Sequence, residues 1–190
     1  MKVILGAGAT YYEGWHATQE AELNLVNPDD WEKQFSFASL DALLAEHVWE
    51  HLTLTEGEQA AKLCYNYLKP GGYLRVAVPD TNFRNQAYQD LVQVGGPGPI
   101  DHQAYSHKVV YDYQTLREVF EKAGFEVELL EYCNKIGDFH YHYWNPADGK
   151  IVRLLRYDTR NSQTGLGMIS IIIDVHKPFI LKEKGTDKAF

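Results

Sequence analysis

The sequence predicts an α/β fold built on a parallel sheet. Three segments carry this prediction: VILGAG at Val3–Gly8, LDALLAEHVWEHL at Leu40–Leu52 and LKPGGYLRVAVPD at Leu68–Asp80. Each contains an apolar run of β type that ends in polar or small residues. A helical stretch separates the last two, which gives the order strand, helix, strand. That order is typical of a βαβ unit with parallel strands.

The amino-terminal half divides into short strands and one long helix. We expect strands at Val3–Leu5, Trp15–Thr18, Leu23–Val26 and Leu40–Ala45, with a turn at Asn27–Asp30;. Apolar residues at helical spacing predict a helix over Thr55–Leu68. Thr55 is the expected N-cap, and Glu58 completes a capping box. Pro70 and the two glycines after it then turn the chain into the next strand.

The carboxyl-terminal half continues with weaker signals. Thr81–Asp112, which contains the loop GGPGP, is expected to be an insertion over the strand ends. The elements expected after it are a helix at Tyr113–Ala123, a strand at Phe125–Tyr132, a hairpin at Phe139–Arg156 that turns at NPADG, and a last strand at Met168–Val175;. Residues 1–181 are therefore predicted to form one domain, and Lys182–Phe190 a frayed tail.

Composition excludes several classes of partner. The formal net charge is −8, with 18 Lys and Arg residues scattered among 26 Asp and Glu residues. Phosphate backbones need a concentrated basic surface, so we expect no nucleic-acid partner. No long uncharged apolar run is present, so we expect no membrane partner and a cytoplasmic location. Cys64 and Cys133 fit no disulfide or metal framework, and we expect two free buried thiols;.

The predicted topology also says where a ligand binds. In open sheets of this kind, ligands lie at the carboxyl ends of the parallel strands. Those ends are expected at Gly6–Ala9, Glu46–His51 and Pro79–Asn82. Function should therefore be sought in these three segments.

The same segments resemble the class I S-adenosyl-L-methionine-dependent methyltransferases, in particular compact proteins of the small methyltransferase-domain type. The resemblance lies in LGAG, SLDALLAEHVWEHL, LKPGGYLRVAVPD and AGFEVELLEY, and it covers roughly residues 2–132;. It implies a Rossmann-like class I methyltransferase fold with a mostly parallel sheet and an antiparallel last strand. It also implies S-adenosyl-L-methionine as cofactor and a methyl acceptor, expected to be a small molecule.

The resemblance assigns residues to the cofactor. Glycines allow the backbone to approach a ligand closely, as the methionine and ribose portions of the cofactor require. In this family an acidic residue after the second strand accepts both ribose hydroxyls; Gln19 stands at that position here, and Glu20, beside it, is the better acceptor. The expected cofactor-binding residues are Gly6, Ala7, Gly8, Gln19, Glu20, Asn24, Leu25 and Glu46. Leu5 stands where relatives often have an acid.

Histidines are the candidate catalytic residues. Methyl transfer needs mainly alignment of the acceptor with the methyl group, and a base only where the acceptor must lose a proton. His47 follows a strand end, and His107 lies with His102 in a segment that resembles the acceptor side of the family. We expect His47 or His107 to act as that base.

Two other functions remain open. HVWEH at His47–His51 fits the HxxEH pattern of zinc hydrolases, which requires a continuous helix, but the strand signature just before it argues against that pattern, and no metal is expected;. The second is a methyltransferase-fold protein that binds a ligand or partner without catalysis. Leu5, Gln19 and the short segment between Gly8 and Trp15 favour it, because they depart from the family.

A homodimer is also expected. Met1–Leu25 has no room for the helices that usually cover one face of this sheet, and monomers seldom expose so large an apolar surface;. The aromatic-rich hairpin Phe139–Arg156 or a second subunit must cover that face. Aromatic residues are enriched in interface cores, which favours the dimer.

Overall fold

The computed structural model describes residues 1–96, 103–162 and 165–179. Within these ranges the chain forms one seven-stranded sheet. The strands are β1 (Lys2–Ile4), β2 (Trp15–Ala17), β3 (Leu40–Glu46), β4 (Leu68–Val78), β5 (Glu126–Cys133), β6 (Phe139–Tyr141) and β7 (Ile171–His176). The α-helices are α1 (Pro28–Gln34), α2 (Leu54–Tyr67), α3 (Gln86–Val92) and α4 (Tyr113–Lys122).

The spatial order of the strands is β2-β1-β3-β4-β7-β5-β6. β1 pairs in parallel with both β2 and β3, and β3 pairs in parallel with β4. β7 lies antiparallel between β4 and β5, and β6 is antiparallel to β5 at the edge. The parallel half of the sheet and its antiparallel last strand confirm the fold predicted from the sequence.

One face of the sheet is covered by α2 and α4. Their buried side chains join the alternate apolar residues of the strands in a single cluster, which includes Leu43, Leu74, Cys64, Leu116 and Phe120. The capping box of α2 is formed by Thr53 and Glu56, two residues before the predicted one. Both threonine–glutamate pairs have the right spacing, so the spacing alone did not choose the correct one. The two cysteines are free and buried, as expected.

The predicted third strand, Leu23–Val26, is wrong. This segment is a turn in which the Asn24 side chain accepts a hydrogen bond from the Val26 amide at 3.1 Å. It leads into α1, whose N-cap is Asn27. The apolar residues that suggested a strand are buried against Trp31 of that helix, so burial rather than strand pairing explains them.

The predicted hairpin is wrong in its second half. β6 pairs with β5, but NPADG forms a short 3₁₀ helix at Pro146–Asp148, and no described strand follows it before β7. Residues 142–156, which we call the cover segment, lie across the second face of the sheet. Trp144, Ile151 and Leu154 of this segment pack against Leu44 and neighbouring apolar residues of the strands.

The cover segment changes the argument for a dimer. The sequence suggested a bare sheet face, whereas the chain covers that face with its own irregular segment. The structure therefore removes the argument that a second subunit is needed to cover this face. The homodimer stays a prediction without that support.

Arg75 of β4 anchors the cover segment. Its guanidinium pairs with both carboxylate oxygens of Asp174, the residue opposite it on β7, at 2.7 Å each. The remaining nitrogen donates to the Gly149 carbonyl at 2.7 Å, and the Trp144 ring lies 4.3 Å from the guanidinium carbon. A buried arginine is thereby fully paired, as its burial requires.

Two glutamates, one on β3 and one on β5, hold the same segment. Glu46 Oε1, at the end of β3, accepts hydrogen bonds from the amides of Val152 at 2.9 Å and Arg153 at 2.8 Å. Glu131 Oε2, on β5, accepts one from the Leu155 amide at 3.2 Å. Burial raises the pKa of Glu131, and the hydrogen bonds donated by the Leu155 amide and the Trp144 indole partly oppose that effect. Side chains of the sheet thus accept hydrogen bonds from the backbone amides of the irregular cover segment.

The predicted insertion after β4 carries α3 and a 3₁₀ helix at Gln103–Ser106. His102 and the predicted tail Lys182–Phe190 lie outside the described residues. Within the described ranges, no helix has the length and apolar character needed to cross a bilayer.

Candidate functional site

The glycine loop lies at the carboxyl end of β1. Gly6 and Gly8 both have positive φ, at 56° and 54°. A Cβ on Gly6 would lie 3.0 Å from a methyl group of Val48, so a glycine is needed there for close packing;. A Cβ on Gly8 would meet nothing within 4 Å. Ala7, between them, is buried in the second apolar cluster. The loop therefore presents the backbone of Gly8 to open space.

Gln19, after β2, is bound to the glycine loop. Its Oε1 accepts a hydrogen bond from the Gly8 amide at 3.1 Å, and its Nε2 donates to the Gly8 carbonyl at 2.9 Å. Glu20 is exposed next to it. The sequence placed these residues together at the strand ends, and the structure places Gln19 against Gly8. One amide therefore satisfies both polar backbone groups of Gly8.

The remaining cofactor candidates are Asn24, Leu25 and Glu46. Asn24 and Leu25 lie in the turn before α1, where the Leu25 carbonyl accepts from the Trp31 indole at 3.2 Å. Glu46 was expected to border a cofactor, and its Oε1 accepts hydrogen bonds from the backbone of the cover segment. No pattern in the sequence indicated that contact, since its partners lie more than a hundred residues later.

His47 begins a polar cluster at the end of β3. It has a φ of 57°, an uncommon conformation for a residue with a side chain;. Its Nδ1 lies 2.8 Å from Glu50 Oε1, and its Nε2 lies 3.0 Å from the Ser170 hydroxyl. That hydroxyl donates to the Arg153 carbonyl at 2.8 Å. The chain leaves β3 here through a 3₁₀ helix at Trp49–His51 and not through a continuous α-helix, which removes a condition of the HxxEH zinc hydrolase pattern.

Glu50 is the centre of this cluster and is completely buried. Burial raises the pKa of its carboxyl, but the neighbouring His47 and His51 outweigh that effect and hold the pKa below its usual value. Burial lowers the pKa of His51, and the Glu50 charge opposes this. The carboxylate is therefore ionised at neutral pH and lies between imidazoles.

His107 is brought to this cluster from the insertion. The backbone carbonyl of Glu50 accepts hydrogen bonds from the amides of Lys108 at 2.7 Å and Val109 at 3.2 Å, which fixes the insertion against the strand end. His107 Nδ1 lies 2.9 Å from the Val92 carbonyl, and its ring packs edge-on against that of His51 at 5.0 Å. Because a carbonyl only accepts, Nδ1 carries the proton and Nε2 keeps a lone pair.

A cavity of about 140 Å³ adjoins the two candidate catalytic histidines. Its wall is formed by His47, Pro79, Leu91, Val92, Ala104, His107, Arg153, Arg160 and Met168. The sequence analysis singled out the two histidines of this wall but not the two arginines. A wider, open groove is lined by Thr81–Gln86, Gln89 and Lys135.

Comparisons with known proteins bear on the fold. No protein-family model matches the sequence, and no curated protein is significantly similar to it. Solved structures do match. An S-adenosylmethionine-dependent methyltransferase from Archaeoglobus fulgidus is 16% identical, with a TM-score of 0.54 over 93% of this chain and 85% of that one.

Two further structures agree with the first. A methyltransferase from Methanosarcina mazei is 13% identical, with a TM-score of 0.50 over 90% of this chain and 71% of that one. The CurJ carbon methyltransferase is 13% identical, with a TM-score of 0.52 over 93% of this chain and 48% of that one. The chain has the class I methyltransferase fold. At these identities the likeness establishes the fold and leaves the acceptor open.

Proposed function

We propose that this class I methyltransferase-fold protein is an S-adenosylmethionine-dependent methyltransferase with a small-molecule acceptor. The observation that carries the proposal is the exposed backbone of Gly8. It lies at the carboxyl ends of parallel strands, next to Gln19, and open space lies above it. In open α/β sheets this edge is the ligand site.

Several residues of the chain fit such a cofactor. Gly6, Ala7 and Gly8 would hold its methionine and ribose portions, Gln19 and Glu20 its ribose, and Asn24 and Leu25 its adenine side. The cofactor, when bound, supplies an electrophilic methyl group on a sulfonium. What remains for the protein is to place an acceptor in line with that methyl group and to exclude water.

The cavity beside His47 and His107 is the proposed acceptor site. Its volume of about 140 Å³ suits a small molecule or one end of a larger one. His47 or His107 would act as its base: Glu50 Oε1 lies 2.8 Å from His47 Nδ1, and the Ser170 hydroxyl lies 3.0 Å from His47 Nε2. His107 has only a carbonyl partner at Nδ1.

The alternative is a protein with this fold that binds without catalysis. Gln19 favours it, because an amide replaces the expected carboxylate and both of its polar atoms already bind Gly8. Glu46, another expected cofactor contact, is bound to the cover segment. Both observations concern residues expected to bind the cofactor. Neither bears on the proposed acceptor cavity.

Calorimetric titration with S-adenosylmethionine and S-adenosylhomocysteine tests the proposal. We expect binding of both by the wild-type protein, and loss of binding in Gly8→Val, whose side chain would occupy the open space over the loop. Gly14→Val is the matched control, because Gly14 also has positive φ, at 79°, and also has nothing within 4 Å of a Cβ. The backbone strain is therefore similar in the two variants.

The outcomes separate the two functions. Affinity lost in Gly8→Val and kept in Gly14→Val would support the cofactor site, provided that circular dichroism shows both variants folded. A wild-type protein that binds neither compound would remove the methyltransferase and leave the binding protein. Equal affinity in both variants would remove the glycine loop from the site.

A further inference from the structure

Three side chains with metal-binding atoms converge beside the acceptor cavity. Glu50, His51 and His107 each offer one ligand atom, and the three atoms lie within 4.8 Å of one another. Two come from the 3₁₀ helix after β3, and the third comes from the insertion that docks on it. Two imidazoles and one carboxylate form a donor set found in catalytic zinc sites and in non-haem iron sites.

The buried carboxylate lacks a partner. Glu50 is completely buried, and neither of its carboxylate oxygens has a hydrogen bond among the described residues. A charged oxygen without a partner in the interior is costly, and native structures rarely leave one. Its Oε1 is 2.8 Å from His47 Nδ1. A bound cation would give this carboxylate a partner, and one of its oxygens lies within 4.8 Å of a ring nitrogen of His51 and of His107.

The outer contacts orient these ligands. His107 Nδ1 donates to the Val92 carbonyl at 2.9 Å, which leaves Nε2 with its lone pair. His51 Nδ1 lies 2.8 Å from the Ser106 hydroxyl, so its Nε2 faces away from that contact. His47 Nδ1 lies 2.8 Å from Glu50 Oε1. Metal-binding histidines are typically held in this way, with the second ring nitrogen bound to a carbonyl or other polar group.

We propose that Glu50, His51 and His107 bind a divalent transition-metal ion of the zinc class, with a coordination position left open. The sequence predicted no metal, and the HxxEH pattern would have used His47. In the structure both nitrogens of His47 have other partners, whereas His107, which lies far along the chain, completes the set.

The geometry is close to that of a metal site. Bonds of about 2.0–2.1 Å to an ion place tetrahedral ligand atoms about 3.3 Å apart, so the three side chains need shifts of only about 1 Å to close on it. The backbone beneath them is fixed, because Lys108 and Val109 donate to the Glu50 carbonyl. His107 also lines the 140 Å³ cavity, so the open position of the ion is next to that cavity.

Titration of chelator-treated protein with Co²⁺, followed by visible absorption, tests the site. We expect one Co²⁺ per chain, with the intense absorption of a four- or five-coordinate ion bound by nitrogen, and displacement of it by Zn²⁺. Glu50→Gln, an isosteric change, and His107→Asn should each weaken binding by at least about 100-fold, because loss of even an outer partner of a ligand costs about 10–100-fold. His142→Ala is the control, since His142 is exposed and lies at the start of the cover segment.

The result that would overturn the proposal is a wild-type protein that binds no Co²⁺ and no Zn²⁺, or variants that bind them as the wild type does. Circular dichroism checks the fold of each variant. His51→Asn provides a third test at a less buried position, so the experiment does not depend on Glu50→Gln folding. Titration with S-adenosylmethionine is separate, so a protein can fail that test and still bind the metal.

Discussion

The two faces of the sheet are covered in different ways. On one face, α2 and α4 pack against alternate apolar side chains of the strands. On the other, the irregular cover segment lies over apolar residues but is also tied down by charged side chains that project from the sheet. Those side chains are Glu46, Arg75 and Glu131, on β3, β4 and β5.

The difference follows from the backbone of each cover. A helix satisfies its own amides and carbonyls except at its ends, so the strands beneath it can present apolar residues only. An irregular segment has unpaired groups along its length, and burying them without partners is costly. The sheet must then supply acceptors and donors, which Glu46 and Arg75 do. A charged residue in a buried strand thus marks the face that lacks a helix.

The largest effect is expected from Arg75→Met, which keeps a long unbranched side chain and removes the charge. Asp174 would be left almost buried and unpaired, and the Gly149 carbonyl would lose its donor. We expect the free energy of unfolding to fall by about 3–5 kcal/mol, as when one partner of a buried ion pair is removed. Urea denaturation measures it.

The matched substitution on the helical face is Leu43→Met, on the neighbouring strand. Leu43 is fully buried against the helices. A volume-conserving apolar exchange of this kind costs less than about 1.5 kcal/mol. The double variant Arg75→Met with Asp174→Leu should recover part of the loss, because no charge remains unpaired. Similar losses for Arg75→Met and Leu43→Met would contradict the proposed difference between the faces.

The sequence predicted the helical face better than the covered face. The strands β1, β3, β4 and β7 and the helices α2 and α4 carry apolar periodicity that is visible in short windows. The cover segment has no such period, because its fold depends on partners far away: Glu46 binds residues more than a hundred positions later. NPADG correctly predicted a change of chain direction, but it did not indicate that an irregular segment rather than a strand follows it.

The candidate site was predictable to a similar extent. Strand ends and glycines place Gly6, Gly8 and His47 at one edge of the sheet from the sequence alone. The approach of His107 to Glu50 was not predictable, because it depends on how the insertion docks on the 3₁₀ helix. The pairing of Gln19 with Gly8 was not predictable either, because a glutamine after a strand does not indicate which residue its side chain binds.

The second prediction concerns Glu46→Ala, which removes the acceptor of two cover-segment amides. We expect a loss of about 1–3 kcal/mol in the free energy of unfolding, because two hydrogen bonds to a charged carboxylate would be lost. Hydrogen exchange at Val152 and Arg153 should become faster, while exchange at Cys64 in α2 should change much less. Glu46→Gln keeps an oxygen that can accept both amides and should lose less. Unchanged exchange at Val152 and Arg153 would contradict this role of Glu46.

The smallest effect is expected at the start of α2, where the helical face depends on a local contact. Thr53→Ala removes the hydroxyl that accepts from the Glu56 amide at 3.2 Å, and the loss of such a cap costs about 1 kcal/mol. Thr55→Ala is the control: Thr55 is exposed inside the first turn, and the change should stay within about 0.5 kcal/mol. Thermal and urea unfolding measure both, and a larger loss for Thr55→Ala would restore the capping box first predicted from the sequence. Because the cap satisfies only the end of a helix, exchange at Val152 and Arg153 should not respond to Thr53→Ala, in contrast to Glu46→Ala.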